Sequence, residues 1–314
     1  MNTKKLFQDS MNLDSIFNES KKTIPLSNEK SASHQSHLEE FQSQLSRICI
    51  FPIGTRENHS ENYSKYVAGT LTHISQLQHI KFEYALEDKK IMEGVPNLPT
   101  NKKILLLDLD ETLIHADFEE EFKNEKYDTI IKFKEKAEKN KNFENNENES
   151  SWERPLKAEE ENFHSVGIFI RNGVKHFLHE VNKYFDVGIF TASVKEYADA
   201  VIDFLDPENK LIKFRLYRNN CINFNDSFTV KDLRIFKNVD LKNIILIDNS
   251  MYSFATQIDN GVLINSFFND KNDMELYNAL EYLKNFILPA EDIREINEEF
   301  FGFGQILNDL INCK

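Results

Sequence analysis

The chain has few cysteines and no long apolar segment. Its three cysteines, Cys49, Cys221 and Cys313, lie far apart and show no CxxC or Cys/His spacing, which argues against a zinc site or a disulfide framework. No histidine-containing arrangement near Cys221 favours a catalytic thiol. No apolar run approaches the roughly 18 residues that a membrane span needs, and residues 1–22 lack a secretory core. We therefore expect a soluble, intracellular protein without a membrane partner.

Basic charge is also scarce. The chain has 38 Lys and Arg against 52 Asp and Glu, and its formal net charge is -14. Proteins that bind nucleic acid take much of their affinity from clustered Lys and Arg that neutralise phosphates. The composition therefore predicts no nucleic-acid partner and favours a basic or polar protein segment instead.

Composition divides the chain into four parts. Residues 1–65 are rich in Ser, Asn, Gln, His and Lys without sustained periodicity, which predicts a disordered polar N-terminal tail. Residues 66–101 are typical of a partly ordered linker, residues 102–301 of a folded domain, and residues 302–314 of a C-terminal tail. Within the domain, residues 117–162 are dense in Glu, Lys and Asn. We expect an acidic insertion or disordered segment there, and a solvated insert is favoured over a specific binding element.

Four short apolar runs each end at a polar residue. They are residues 104–107, 185–190, 244–247 and 261–264, followed by Asp108, Thr191, Asp248 and Asn265. Such runs suit strands buried on both faces of a parallel sheet. Helical patterns are predicted at 174–184, 194–205, 251–258 and 274–286. The alternation predicts an α/β fold, a parallel sheet flanked by helices with right-handed crossovers.

The strongest candidates for catalytic and metal-binding residues lie in the segment Asp108-Leu109-Asp110-Glu111-Thr112. Asp108 and Asp110 follow the first predicted strand and point to similar sides of the chain, at the edge of a parallel sheet where ligands collect. Mg²⁺ prefers oxygen ligands, and it would relieve the repulsion between the acids. In phosphoryl transfer Asp108 would be the nucleophile and Asp110 the general acid and base, while Thr112 would order the loop.

Other predicted strand ends supply the remaining groups. Thr191 can donate a hydroxyl to a phosphate, Lys231 can supply positive charge, and Asp248-Asn249 can supply oxygens to the metal. Each has an ordinary structural alternative. Thr191 could be a helix N-cap, Lys231 could be a surface lysine, and Asp248-Asn249 could simply form a turn. Their order and repeated placement after apolar runs favour the functional interpretation.

Together these segments resemble a known family. Asp108-x-Asp110-x-Thr112, Phe190-Thr191-Ala192-Ser193, Val230-Lys231-Asp232-Leu233 and Asp248-Asn249-Ser250 are similar to motifs of the haloacid dehalogenase (HAD) superfamily, and within it of the FCP/SCP group, the small phosphatases of the RNA polymerase II C-terminal domain. The resemblance covers residues 102–301. It implies a HAD-like Rossmannoid sheet with the polar insertion after the first catalytic strand.

The resemblance also implies a role for each site residue. Asp108 would be the nucleophile and Asp110 the acid and base, Thr191 and Lys231 would hold the phosphate, and Arg218 would lie close to the bound phosphopeptide. The implied Mg²⁺ ligands are the Asp108 side chain, the Asp110 backbone carbonyl and the Asn249 side chain, with Asp248 supporting them.

Three positions depart from the family pattern. The family usually has Arg-Pro where this chain has Arg171-Asn172, Asp-Asn-Ser-Pro where Met251 follows Ser250, and Ser-Trp-Phe where Phe267 follows Ser266. None removes a catalytic group. These departures make the inference about the substrate weaker. The insertion at residues 117–162 also weakens it, because it falls where the small phosphatases shape the pocket for a proline-containing peptide.

The leading hypothesis is therefore a Mg²⁺-dependent phosphatase for phosphoserine or phosphothreonine. Its substrate is expected to be a phosphorylated protein segment, with the RNA polymerase II C-terminal domain first and other phosphoproteins next. The alternatives are a non-catalytic HAD-fold interaction module and a small-metabolite phosphatase, which would ordinarily need a cap domain. Nuclear location follows from the resemblance alone, with the cytoplasm left open, and the sequence does not predict an oligomeric state.

Overall fold

The computed structural model of the protein describes residues 60–77, 91–98, 102–118, 126–134, 163–224 and 228–312. Most of the predicted N-terminal tail, residues 1–59, lies outside the described residues, as do residues 119–125 and 135–162 of the expected insertion.

A five-stranded parallel sheet forms the centre of the fold. Its strand order is β10-β9-β1-β5-β6, so the first strand lies in the middle with β9 and β5 on either side. Leu107 at the end of β1 pairs with Ile189 on one neighbour and Ile247 on the other. Every residue of β1 is buried, as the uninterrupted apolar run predicts for a strand covered on both faces. The sheet is flanked by helices, which confirms the predicted HAD-like α/β fold.

The described strands are β1 (Ile104–Leu107), β2 (Ile114–Phe118), β3 (Thr129–Lys134), β4 (Phe163–Ile170), β5 (Asp186–Phe190), β6 (Phe214–Leu216), β7 (Ile222–Phe224), β8 (Phe228–Val230), β9 (Ile244–Asp248) and β10 (Gly261–Leu263). The described α-helices are α1 (Ser60–Leu77), α2 (Val174–Val181), α3 (Lys195–Leu205), α4 (Glu275–Tyr282), α5 (Ile293–Phe301) and α6 (Phe303–Asn312). The helix predicted at 251–258 is two 3₁₀ turns, Met251–Phe254 and Ile258–Asn260. The one predicted at 274–286 is α4 continued by a π-helical turn, Leu283–Ile287.

Part of the expected insertion is a strand. Strand β3 lies within residues 117–162 and joins β2 and β4 in an antiparallel sheet of order β2-β4-β3. Ile131 and Phe133 are each 8% exposed, while their neighbours in β3 face outward. Tyr127 packs on β4 so closely that a Cβ at Gly167 would lie 2.6 Å from its ring. The charged residues around β3 dilute its period-two pattern, so composition alone does not reveal the strand.

The two ends of the described chain pack together. Helix α1 begins inside the predicted tail and packs against α6, which occupies the predicted C-terminal tail. Val67 and Leu71 of α1 are fully buried, and Phe303 and Leu307 of α6 are at most 4% exposed. The apolar face of each short helix is covered by the other, so the packed structure extends beyond residues 102–301 at both ends. No described helix is long and apolar enough to cross a membrane.

Candidate active site

Three neighbouring strands end at one edge of the sheet and bring the predicted site residues together. Asp108 follows β1, Thr191 follows β5 and Asp248 ends β9. The Asp108 amide donates to the carbonyl of Ile247 over 3.0 Å, which fixes the two strand ends against each other. Asp108 is 6% exposed, Asp248 is 1% exposed and Thr191 is fully buried. The site therefore lies at the carboxyl edge of the parallel sheet, where ligands bind in open α/β folds.

Lys231 is a buried cation between two carboxylates. Its Nζ donates to Asp108 Oδ1 and to Asp248 Oδ2, both over 2.6 Å, and the residue is 1% exposed. Burial alone would lower the pKa of Lys231, but the charges of Asp108 and Asp248 outweigh that effect and raise it. The two carboxylates therefore favour the charged form of Lys231, and its burial excludes the surface-lysine alternative.

Thr112 joins Asp108 to Asn249. Its hydroxyl donates to Asp108 Oδ2 over 3.1 Å and lies 3.4 Å from Asn249 Oδ1. The Asn249 amide nitrogen donates to Ser266 Oγ over 3.1 Å, and this bond orients the amide oxygen toward Thr112. Two oxygens that can bind a metal, Asp108 Oδ2 and Asn249 Oδ1, therefore face the same hydroxyl.

Asp110 lies in different surroundings from Asp108. Its Oδ2 accepts from Ser193 Oγ over 2.7 Å and its Oδ1 from the Tyr197 hydroxyl over 2.5 Å. Burial raises the pKa of Asp110 to about 7, and the charges of Glu111 and Asp108 add to the rise. A carboxyl group with a pKa near neutrality can both give and take a proton at physiological pH.

Ser193 and Tyr197 were not assigned a role from the sequence. Tyr197 lies on the buried face of α3 and contacts the rings of Phe118 and Phe133 at 6.0 and 5.6 Å between centroids. Its helical spacing is that of a core residue, so only the structure reveals its bond to Asp110. Strand β3, which carries Phe133, thereby lies beside the site.

The structure places Thr191 and Arg218 near the site without direct bonds to Asp108. The Thr191 hydroxyl accepts from the Ser193 amide over 3.0 Å. Helix α3 begins after Val194, so Thr191 is not its N-cap. Arg218 Nε donates to the carbonyl of Ala192 over 2.7 Å. Burial lowers the pKa of Arg218, and nearby negative groups that include Asp110 partly offset this.

The loop after Asp108 is held from several sides. Glu111 has a left-handed backbone conformation, with a φ of 56°. Its amide donates to the carbonyl of Ile114 over 2.7 Å, and its carbonyl accepts from the amide of Phe267 over 2.8 Å. Arg171 donates to the carbonyl of Thr112 over 2.9 Å. A non-glycine residue in this backbone region costs free energy and persists where its surroundings fix it. The bonds from neighbouring segments therefore fix the course of the loop.

The residues present fit a Mg²⁺ ion. Burial raises the pKa of Asp248 to about 6; Lys231 opposes this rise and the charge of Asp108 adds to it. The negative charge concentrated around Asp108 would thus be relieved by a divalent cation. Among the residues that the structure describes, no three His, Cys, Asp or Glu side chains converge as a protein-only cage would require. Mg²⁺ usually keeps several waters and binds through one or two carboxylates, so it needs no such cage.

The sheet and the site define a class of protein. A parallel sheet that carries an Asp-x-Asp-x-Thr segment at the end of its middle strand, with a buried lysine and an Asp-Asn pair beside it, is an α/β protein of the haloacid dehalogenase type. The chain belongs to the NLI interacting factor-like phosphatase family, whose model matches residues 103–294. This confirms the family predicted from the four motifs.

The relatives carry similar names. The chain is 41% identical over 134 residues to CTD small phosphatase-like protein 2 of Dictyostelium discoideum, a match that covers 43% of this chain and 23% of that protein. It is 32% identical to the probable C-terminal domain small phosphatase of the same organism, over 70% of this chain and 63% of the relative. The chain thus spans less than two thirds of these relatives. A solved structure of Fcp1, described as an essential RNA polymerase II CTD phosphatase, aligns with a TM-score of 0.37 and 15% identity, over 66% of this chain and 64% of that one.

Proposed function

We propose that the protein is a Mg²⁺-dependent phosphatase that removes phosphate from phosphoserine or phosphothreonine through a phospho-aspartate on Asp108. The observation that carries the proposal is the unequal pair of carboxyl groups. Asp108 is bound to a charged lysine 2.6 Å away, whereas the pKa of Asp110 is raised by burial to about 7. An acid paired with a buried lysine suits the nucleophile, and a buried acid with a raised pKa suits the proton donor.

The first half-reaction transfers the phosphoryl group. Lys231 stabilises Asp108 as a carboxylate, and a carboxylate oxygen forms a bond to phosphorus while the bond from phosphorus to the serine or threonine oxygen breaks. Protonated Asp110 gives its proton to the departing oxygen, so the product is a neutral hydroxyl. The bonds from Ser193 and Tyr197 hold Asp110 in place for this transfer.

The second half-reaction restores the enzyme. Asp110, now ionised, takes a proton from a water that attacks phosphorus, and the bond between phosphorus and Asp108 breaks. Inorganic phosphate leaves, Asp108 is a carboxylate again and Asp110 is protonated again. One residue thus serves both steps because its pKa lies near 7.

The transferred group carries charge that must be stabilised. Lys231 supplies a fixed cation, and Thr191 and Arg218 supply donors from the neighbouring strand end and the turn after β6. Mg²⁺, held by Asp108, the Asp110 carbonyl and Asn249 with support from Asp248, would neutralise phosphate oxygens. Arg218 would contact the peptide that carries the phosphate.

The substrate is proposed to be a flexible phosphorylated protein segment, and the RNA polymerase II C-terminal domain is the first candidate. Support comes from the names of the relatives and from the family match. The negative net charge of the chain fits a protein substrate better than a nucleic acid. We also propose a nuclear location, which imaging of a fluorescent fusion would test.

The function is tested by phosphate release from an aryl phosphate and a phosphoserine peptide, with and without EDTA. The variants are Asp108→Asn and, as a matched control, Asp203→Asn, whose side chain is 61% exposed and pairs with Arg215. We expect EDTA and Asp108→Asn to abolish turnover and Asp203→Asn to retain it. Wild-type rates equal to those of Asp108→Asn on every substrate would favour a non-catalytic binding module.

A substrate panel then separates the remaining classes. Polymerase-tail peptides phosphorylated at different serines are compared with unrelated phosphopeptides and sugar phosphates by kcat/KM. Preference for a tail peptide supports the proposed substrate. Equal rates on all peptides would contradict a polymerase role, and preference for sugar phosphates would favour a metabolite phosphatase.

A further inference from the structure

Helix α1 lies outside the family match and contacts the active-site loop. The match begins at residue 103, whereas α1 spans Ser60–Leu77. Tyr66, Thr70 and His73 follow the spacing of one helix face, and two of them bond to the segment directly after Asp248-Asn249. The apolar residues Val67 and Leu71 are fully buried. Helix α1 is therefore a packed part of the domain at this edge of the sheet.

The first bond joins Tyr66 to Met251. The Met251 amide donates to the Tyr66 hydroxyl over 3.1 Å, and Met251 is fully buried. Two residues earlier lies Asn249, and the Ser250 amide donates to Asp248 Oδ1 over 2.8 Å. The loop that carries two of the proposed metal-site residues is thus tied to α1 at its far end.

Met251 gives this bond its importance. A proline at this position would have no amide hydrogen. Met251 has one, and a buried amide hydrogen without an acceptor costs free energy. Ser250 before it is extended, with φ -111 and ψ 117, and Met251 begins a 3₁₀ turn, so the local backbone suits a proline. Tyr66 therefore supplies the acceptor that methionine needs and proline does not.

A second contact lies two helical turns further along α1. His73 Nδ1 is 2.9 Å from the Tyr252 hydroxyl, and Phe228 stacks on Tyr252 with 4.7 Å between ring centroids. Burial raises the pKa of Tyr66, hydrogen bonds from Met251 and Ser250 oppose the rise, and the charge of Asp248 adds to it. Tyr66 and His73 thus both contact the segment that directly follows Asp248-Asn249.

We infer that Tyr66 is a positioning residue, which holds the loop bearing Asp248 and Asn249 in the geometry that binds Mg²⁺. The inference rests on the proposed function for the role of the metal, and on the bond between Tyr66 and Met251 for the geometry. In this inference Tyr66 is not a metal ligand and acts through the loop.

The test is a double-mutant cycle of wild type, Tyr66→Phe, Met251→Pro and the double variant. Two quantities are measured for each protein: the dissociation constant of Mg²⁺ by calorimetry, and the free energy of unfolding by urea in EDTA. We expect Tyr66→Phe to weaken Mg²⁺ binding about tenfold, as the loss of one buried acceptor implies. In the Met251→Pro background the same change should weaken Mg²⁺ binding less than it does in wild type, because no amide hydrogen needs the acceptor and only the contacts of the hydroxyl with Ser250 and Thr70 are lost.

A matched control separates positioning from packing. Ile74→Val removes one methylene from a buried residue of the same helix, 3% exposed, and leaves the Tyr66 hydroxyl in place. It should lower stability without weakening Mg²⁺ binding. Equal loss of Mg²⁺ affinity in Ile74→Val and Tyr66→Phe would overturn the inference. This comparison does not need Met251→Pro, so it holds even when that variant fails to fold.

The outcomes distinguish the inference from the proposed function. In one outcome, wild type binds Mg²⁺ and releases phosphate, but Tyr66→Phe weakens Mg²⁺ binding equally in the wild-type and Met251→Pro backgrounds. This outcome refutes the positioning role and leaves the proposed function intact. Wild type that binds no Mg²⁺ refutes the proposed function and, with it, positioning for metal. In that case the free energies of unfolding of the four proteins still decide whether Tyr66 stabilises the loop through Met251. Additive losses of stability in the two single variants would reject this role as well.

Discussion

Arg171 is predicted to stabilise the active-site edge of the sheet strongly. Its guanidinium donates to both oxygens of Asp273 over 2.8 Å, to the carbonyl of Thr112 over 2.9 Å and to that of Asn265 over 2.7 Å. Arg171 is 1% exposed and Asp273 is 8% exposed. The pair thus links β4 to the motif loop and to the segment after β10.

The size of the effect follows from what Arg171→Met leaves behind. Asp273 would remain as a buried carboxylate whose remaining partner is the Glu275 amide at 3.0 Å, and the carbonyls of Thr112 and Asn265 would lose a donor. Removing one partner of a buried ion pair typically costs about 3–5 kcal/mol. Since domains are stable by only about 5–15 kcal/mol, we expect a large loss of stability and lower activity through the displaced loop.

Urea unfolding followed by far-ultraviolet circular dichroism measures this loss. Lys210→Met is the control, because it breaks an ion pair with Glu208 in which the two side chains are 72% and 69% exposed, and such exposed pairs contribute about 0–1 kcal/mol. Adding Asp273→Asn to Arg171→Met should recover part of the loss, since the buried charge is then removed. A loss for Arg171→Met no larger than that for Lys210→Met would refute this reasoning.

Three further predictions concern single groups. Tyr197→Phe removes a donor to Asp110, 2.5 Å away in the structure, and should lower kcat more than it changes KM and shift the pH profile of kcat; an unchanged profile would contradict this. Burial and the charge of Glu298 raise the pKa of Asp259 to about 6, so the contribution of Asp259 to stability is greatest at low pH and is lost as the pH rises through 6. Asp259→Asn should then raise Tm at pH 8 but not at pH 4, and an equal shift at both would count against it. Cys221 is 5% exposed, and burial raises its pKa to about 12. Mass spectrometry should therefore find Cys221 unmodified by a thiol reagent until urea unfolds the protein. Rapid labelling of Cys221 in the native protein would contradict this prediction.

The main sheet and its site edge were predictable from the sequence. An apolar run such as 104–107 can only be buried on both faces, and the acid that follows it must then lie at the sheet edge. The same reasoning places Thr191 after β5 and Asp248 at the end of β9. Residues that follow strands in the same parallel sheet converge, so spacing along the chain was enough to indicate the site.

Features that depend on contacts between distant segments were not predictable. Strand β3 has a short alternating pattern inside a charged stretch, and only its pairing with β4 shows it as a strand. Helices α1 and α6 cover each other's apolar faces, a contact between the two ends of the described chain. The bond from Tyr66 to Met251 spans 185 residues of sequence and has no local signal.

The central claim is the covalent role of Asp108, and trapping of the intermediate tests it most directly. The enzyme is mixed with a phosphopeptide and Mg²⁺, quenched in acid and treated with borohydride, which reduces an acyl phosphate to an alcohol. Peptide mass spectrometry then locates the reduced residue. We predict homoserine at position 108 in wild type and its absence from Asp108→Asn. Turnover without a reduced residue, or reduction at Asp110 instead, would contradict the mechanism.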